Sequence, residues 1–140
     1  MAEAAARILI FVGASLFGVL GGIHLVYTFW SDKLLPRDPA AIDAMKGTSL
    51  VLTRQTTIWD AWVGFNASHS LGVLLVAAFY LLLAAQHMQV LTQSKGLLLI
   101  GIVAGLFYSW LAYTYWFRIP FVGVAIATAC FIAAFILLLA

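Results

Sequence analysis

GLLLIGIVAGLFYSWLAYTYWFRIPFVGVAIATACFIAAFILLLA, residues 96–140, carries one charge, Arg118, in two apolar runs joined at Arg118-Ile119-Pro120. About 20 helical residues cross the roughly 30 Å of bilayer hydrocarbon. Gly96 to Phe117 and Pro120 to Ala140 each meet that length. In hydrocarbon a backbone must satisfy its own hydrogen bonds, so each run reads as a helix rather than an open strand. The junction is so short that the two helices must be antiparallel neighbours. Pro120 suits the first turn of the second helix.

Working outward, two more segments have the same character, about Ile8 to Trp30 and about Ile58 to Ala85. The reading is all-α: a single transmembrane domain over residues 1–140, built as a four-helix up-down-up-down bundle with helices at about 8–30, 58–85, 96–117 and 120–140. Composition agrees. Hydrophobic residues make up 65% of the chain and charged residues 9%, and the mean hydropathy is +1.09. A water-soluble domain carries about a quarter charged residues because water must solvate its surface; here lipid takes that role. The apolar stretch from Ile8 runs to Trp30 without a small-residue cleavage site, which favours a retained helix over a signal peptide. The net charge of +2 is too small and dispersed for a nucleic-acid surface, and Cys130 alone forms no internal disulfide.

Residues 31–57, SDKLLPRDPAAIDAMKGTSLVLTRQTT, hold two prolines and most of the charge. Asp38 followed by Pro39 has the form of a helix start, an N-cap and a proline at the first position. A short amphipathic helix over about 39–54 is expected, lying on the membrane or capping the helices. Residues 86–95, QHMQVLTQSK, read as a brief polar turn. Lys33, Arg37, Lys46, Arg54 and Arg118 lie on one side against Arg7 and Lys95 on the other. The positive-inside rule therefore puts the first loop in the cytoplasm and both termini outside.

Ionisable groups at membrane depth are costly and rare, so each one is a candidate site. His24, His69 and Asp60 qualify. Gln55, Trp59, Trp62, Asn66 and His69 are spaced four, three, four and three apart, which puts them on one stripe of a helix. On the first segment Gly21, His24 and Thr28 form a matching stripe, with Gly21 and Gly22 open to close approach. At 1.5 Å per residue His24 and His69 lie about 9 and 16 Å below the same face, so a His24–Asn66–His69 cluster in the half nearer the first loop is geometrically reasonable. Asn66-Ala67-Ser68 matches the glycosylation pattern, but its depth excludes that use. The other aromatic side chains fit an interfacial belt, while Trp62 and Tyr108 lie deeper and could line a pocket mouth.

Phe65 to Ser70, FNASHS, resembles an FNxSHS-type segment of small, uncharacterised four-helix bacterial integral membrane proteins. The likeness covers the whole chain in layout and implies placement in a bacterial inner membrane; it implies no established activity. In layout the chain also resembles four-helix membrane enzymes that isomerise sterols or oxidise quinone-like molecules.

Three functional readings stand. The first is an accessory subunit or hydrophobic-ligand binder with a polar intramembrane site, its partners the bilayer, a hydrophobic small molecule, and a second copy or larger membrane complex. Gly101-xxx-Gly105 and Gly123-xxx-Ala127 suit tight helix packing within the bundle or with such partners. The second is a membrane enzyme in which His24, His69 and Asp60 do acid/base chemistry on a lipid, sterol or quinone-like substrate, while Asn66, Trp62, Trp59, Gln55, Tyr108 and Thr28 bind it. The third is bis-histidine ligation of haem b by His24 and His69. No HxxxH or ExxH pair occurs on any helix, so no metal site is expected. Against all three stands a plain alternative, in which buried His and Asn side chains only join helices at about 0.6 kcal/mol per bond.

Overall fold

A computed structural model describes residues 1–139. Its helices, in chain order, are α1 (Ala2–Trp30), α2 (Pro39–Gly47), α3 (Ile58–Gln86), α4 (Met88–Gln93), α5 (Lys95–Tyr115) and α6 (Arg118–Leu139). Four of them, α1, α3, α5 and α6, are long and apolar enough to cross a membrane. This is a helical membrane protein.

The bounds differ from the sequence reading where apolar content alone was the guide. The first helix begins at Ala2, six residues before Ile8. Ala-Glu-Ala-Ala-Ala-Arg is a run of strong helix formers, Glu3 favours the positive end of the helix dipole, and Ala6 is buried. With 29 residues each, α1 and α3 extend about 43 Å, so they outrun the hydrocarbon or tilt within it. Helix α6 starts at Arg118, leaving Pro120 in its first turn, where its missing N–H has no helical acceptor to lose.

Two connections are corrected. The turn at 86–95 contains a further helix, α4, whose Met88 and Leu91 are buried. His87 breaks the run between α3 and α4 at φ −134°. The loop helix ends at Gly47 instead of near residue 54. Its start is as read from Asp38-Pro39: Asp38 Oδ1 accepts from Ala40 N–H at 2.9 Å and proline occupies the first turn. Beyond Gly47 the chain turns extended at Thr48, and Ser49 pairs with Thr57 in an isolated antiparallel bridge. β-Branched and hydroxyl side chains favour that backbone over a helix.

The chain divides into two compact units, residues 1–20 with 73–140 and residues 21–72. In the first, the core follows helical spacing: Ala6, Ile10, Ala14 and Phe17 on α1; Val73, Ala77, Tyr80 and Ala84 on α3; Val124, Ala127, Phe131 and Ala134 on α6. Lipid offers apolar groups as good a contact as protein does, so close fit and hydrogen bonds hold such helices together rather than water exclusion. Glycines make the fit possible. A methyl added to Gly105 would lie 2.5 Å from Thr128 Oγ1, one at Gly101 2.9 Å from the Tyr80 ring, one at Gly123 2.9 Å from Leu20, and one at Gly13 2.9 Å from the Ala127 carbonyl oxygen. The pairs Gly101–Phe131, Gly105–Thr128 and Tyr113–Phe121 run in opposite chain directions, so α5 and α6 form a helical hairpin. Gly101, Gly105 and Gly123 are thus used for close contacts inside this unit. Tyr80 adds a hydrogen bond, its hydroxyl donating to the Leu97 carbonyl at 2.5 Å.

The second unit joins the end of α1, residues 31–57 with α2, and the start of α3. Lys46 at the end of α2 sets its ammonium 5.0 Å from the centre of the Trp59 ring. Thr57 opens α3: its hydroxyl accepts from Asp60 N–H at 3.1 Å and donates to Asp60 Oδ2 at 2.8 Å.

Candidate functional site

The second unit holds the polar groups. His24 on α1 and Asn66 and His69 on α3 are each partly buried, and the structure brings their side chains together. Asn66 and His69 are three residues apart and so share a helix face. Gly21, one turn before His24, is buried and Gly22 has open space at its α-carbon.

The hydrogen bonds fix the orientation of the cluster. Asn66 Nδ2 donates to the Trp62 carbonyl at 2.8 Å. Only the amide nitrogen can donate, so Asn66 Oδ1 must face the other way, where it lies 2.9 Å from His24 Nε2. An amide oxygen accepts only, so His24 Nε2 carries the proton and donates. The neutral form of His24 is therefore the Nε2–H tautomer, with Nδ1 as its basic nitrogen. The His69 ring meets the His24 ring edge to face, with centres 5.4 Å apart and planes at 69°.

The surrounding groups are tied back to their own helices. Thr28 donates to the His24 carbonyl at 2.8 Å. Ser70 is fully buried and donates to the Asn66 carbonyl at 2.9 Å. Ser68, by contrast, is exposed and donates to the Phe65 carbonyl, and Phe65 is exposed too. The segment Phe65 to Ser70 thus splits into an outward half and an inward half. One and two turns before Asn66, Trp62 and Trp59 stack with centres 5.4 Å apart and planes at 27°.

Two of the residues singled out from the sequence, Gln55 and Asp60, stand apart from this cluster. Gln55 precedes the first turn of α3, is exposed, and donates its backbone N–H to Thr53 Oγ1, so it is not on the helical stripe. Asp60 is exposed and engaged with Thr57 as a helix cap; the Thr57-x-x-Asp60 spacing carried that signal. Tyr108 belongs to the first unit, where it packs on the core with its ring 6.5 Å from Trp116. Lys46, which no pattern in the sequence marked, lies over Trp59 because α2 folds back on the start of α3.

The arrangement can accept and exchange a proton at imidazole, between two helices each long and apolar enough to cross a membrane. It does not fit a haem. Bis-histidine ligation needs both imidazoles to aim a bare nitrogen at one iron across the thickness of the macrocycle. Here His24 Nε2 is committed to Asn66, and the two rings meet edge to face. Among the described residues no group of three His, Cys, Asp or Glu side chains could hold a metal ion. Elsewhere, an open apolar groove of about 550 Å³ runs along α3 and α5 past Leu75, Phe79, Ile100 and Ala104. Its one hydroxyl, Tyr80, is already engaged by Leu97, so it offers no chemistry. No family model, curated protein or solved structure matches this chain.

Proposed function

We propose that the chain crosses the bilayer four times, up-down-up-down, with residues 31–57 on the cytoplasmic side and both termini opposite. In this reading the His24–Asn66–His69 cluster holds the polar head of a hydrophobic small molecule, and the protein is a ligand-binding or accessory subunit of the membrane. One observation carries it: Asn66 spends both ends of its amide, on Trp62 and on His24, to hold one imidazole in a single orientation against another. A bond serving only to join two helices needs no such relay. An acceptor fixed at a partly buried position, His24 Nδ1, is what a ligand's hydroxyl requires, since the site need not reorganise on binding. Histidine acid/base chemistry on such a ligand is a further step that the same pair would permit.

The test is to extract the full-length protein with its lipids in polymer-bounded discs and identify the retained small molecules by mass spectrometry. Wild type should retain a discrete hydrophobic compound, and His69→Ala should lose it while keeping its helical circular dichroism. Equal retention by wild type and His69→Ala, or no compound beyond bulk lipid in either, would leave the cluster as a helix-joining device.

A further inference from the structure

Val51 and Leu52 are the most exposed apolar side chains after the terminal methionine, at 108% and 91%, beyond even Tyr113 at 78% on a membrane-crossing helix. They sit at the tip of a closed loop. Ile58 N–H donates to the Thr48 carbonyl at 2.8 Å, Ser49 and Thr57 pair as an antiparallel bridge, and Thr53 N–H donates to the Leu50 carbonyl at 3.3 Å. Thr57 then caps α3 through Asp60. The base of the loop is therefore pinned to the mouth of a helix long and apolar enough to cross a membrane.

We infer that this loop is a membrane anchor, its Val51–Leu52 tip inserted at the boundary between headgroups and acyl chains on the side where α3 begins. The pinned base limits where the tip can be. Val51 is three residues from Thr48, so it lies within about 10 Å of it. The headgroup layer on each side is roughly 5–7 Å deep, so the tip reaches the hydrocarbon boundary without unfolding the loop. Loop tips facing water are ordinarily polar, and two adjacent aliphatic side chains here have no protein cover. Arg54, two residues on and exposed, completes the chemistry, since its guanidinium suits the phosphodiester of a lipid headgroup. Trp30, at the end of α1 and also exposed, is of the type that marks the same interface. Lipid is favoured over a partner subunit because an aliphatic tip flanked by an exposed arginine matches acyl chains beneath anionic headgroups.

Nitroxide labels at Val51→Cys and Leu52→Cys, each in the full chain with Cys130→Ala, test the inference in nanodiscs of phosphatidylcholine and phosphatidylglycerol. Ala44→Cys on the exposed side of α2 provides the aqueous reference. Collision rates with oxygen and with a water-soluble nickel chelate report depth. The two tip labels should show at least a several-fold higher oxygen-to-nickel ratio than position 44. A ratio equal to that of position 44 would place the tip in water and overturn the inference. So would low access to both reagents, which would mean cover by a second copy of the chain. To separate insertion by the label from insertion by the loop, Val51→Asp/Leu52→Asp should slow proteolysis of the disc-embedded loop less than wild type does. Equal protection in both would also overturn it.

Discussion

Replacing Gly105 with alanine puts one methyl between α5 and α6, where the structure allows the cost to be worked out. The new carbon would lie 2.5 Å from Thr128 Oγ1, 3.1 Å from its Cγ2 and 3.2 Å from its Cβ. Thr128 cannot swing aside freely, because its hydroxyl donates to the Val124 carbonyl at 2.8 Å and its β-branched side chain has few rotamers on a helix. Overpacking of this kind costs about 1–3 kcal/mol, against a gain of about 1 kcal/mol from alanine's better helix propensity. Gly105→Ala should therefore lose about 0–2 kcal/mol. Thr128→Ala alone should lose on the order of 1 kcal/mol through lost contacts. In the double variant the two nearest atoms are gone and only the Cβ contact at 3.2 Å remains, which a shift of a few tenths of an ångström relieves. The double variant should thus be more stable than the sum of the singles by about 1–3 kcal/mol, the overpacking it relieves. Unfolding by sodium dodecyl sulfate in mixed micelles, followed by tryptophan fluorescence, measures all four states. A coupling within about 0.5 kcal/mol of zero, the scatter of independent sites, would refute the close approach of α5 and α6 at this point.

Gly13→Ala should be worse tolerated than any open glycine, because its methyl would meet the Ala127 backbone oxygen at 2.9 Å and a backbone cannot rotate away; Gly72→Ala, with nothing within 4 Å, should be neutral or stabilising by up to about 1 kcal/mol in the same unfolding assay. Asn66→Leu should cost about 1–3 kcal/mol by leaving the His24 Nε2–H without its acceptor. Nitrogen-15 chemical shifts of His24 should move from a single Nε2–H tautomer to a mixture, and an unchanged spectrum would refute the relay. Thr57→Ala should cost about 1 kcal/mol and speed amide exchange at Trp59 and Asp60, since it removes the cap of α3; exchange unchanged there would assign the cap to other groups.

By itself the sequence determined that the chain is far too apolar for a water-soluble domain and that four of its helices are long and apolar enough to cross a bilayer. Those conclusions rest on runs such as Ile8 to Trp30 and Pro120 to Ala140, whose length and lack of charge are local properties. It also determined that Asn66 and His69 share a helix face and that Asp38-Pro39 starts a helix, because both follow from spacing along one chain. The end of the loop helix at Gly47 and the existence of α4 were not legible. Each depends on a few residues whose state is set by what covers Met88 and Leu91, or by the bond from Ile58 back to Thr48. The tertiary structure alone decided that Gly101 and Gly105 serve contacts inside the chain, that Asp60 caps a helix, and that His24 Nε2 is a donor. The physical reason is the same in each case. A glycine stripe or a buried imidazole has several possible partners in sequence, and only the approach of a second helix selects one.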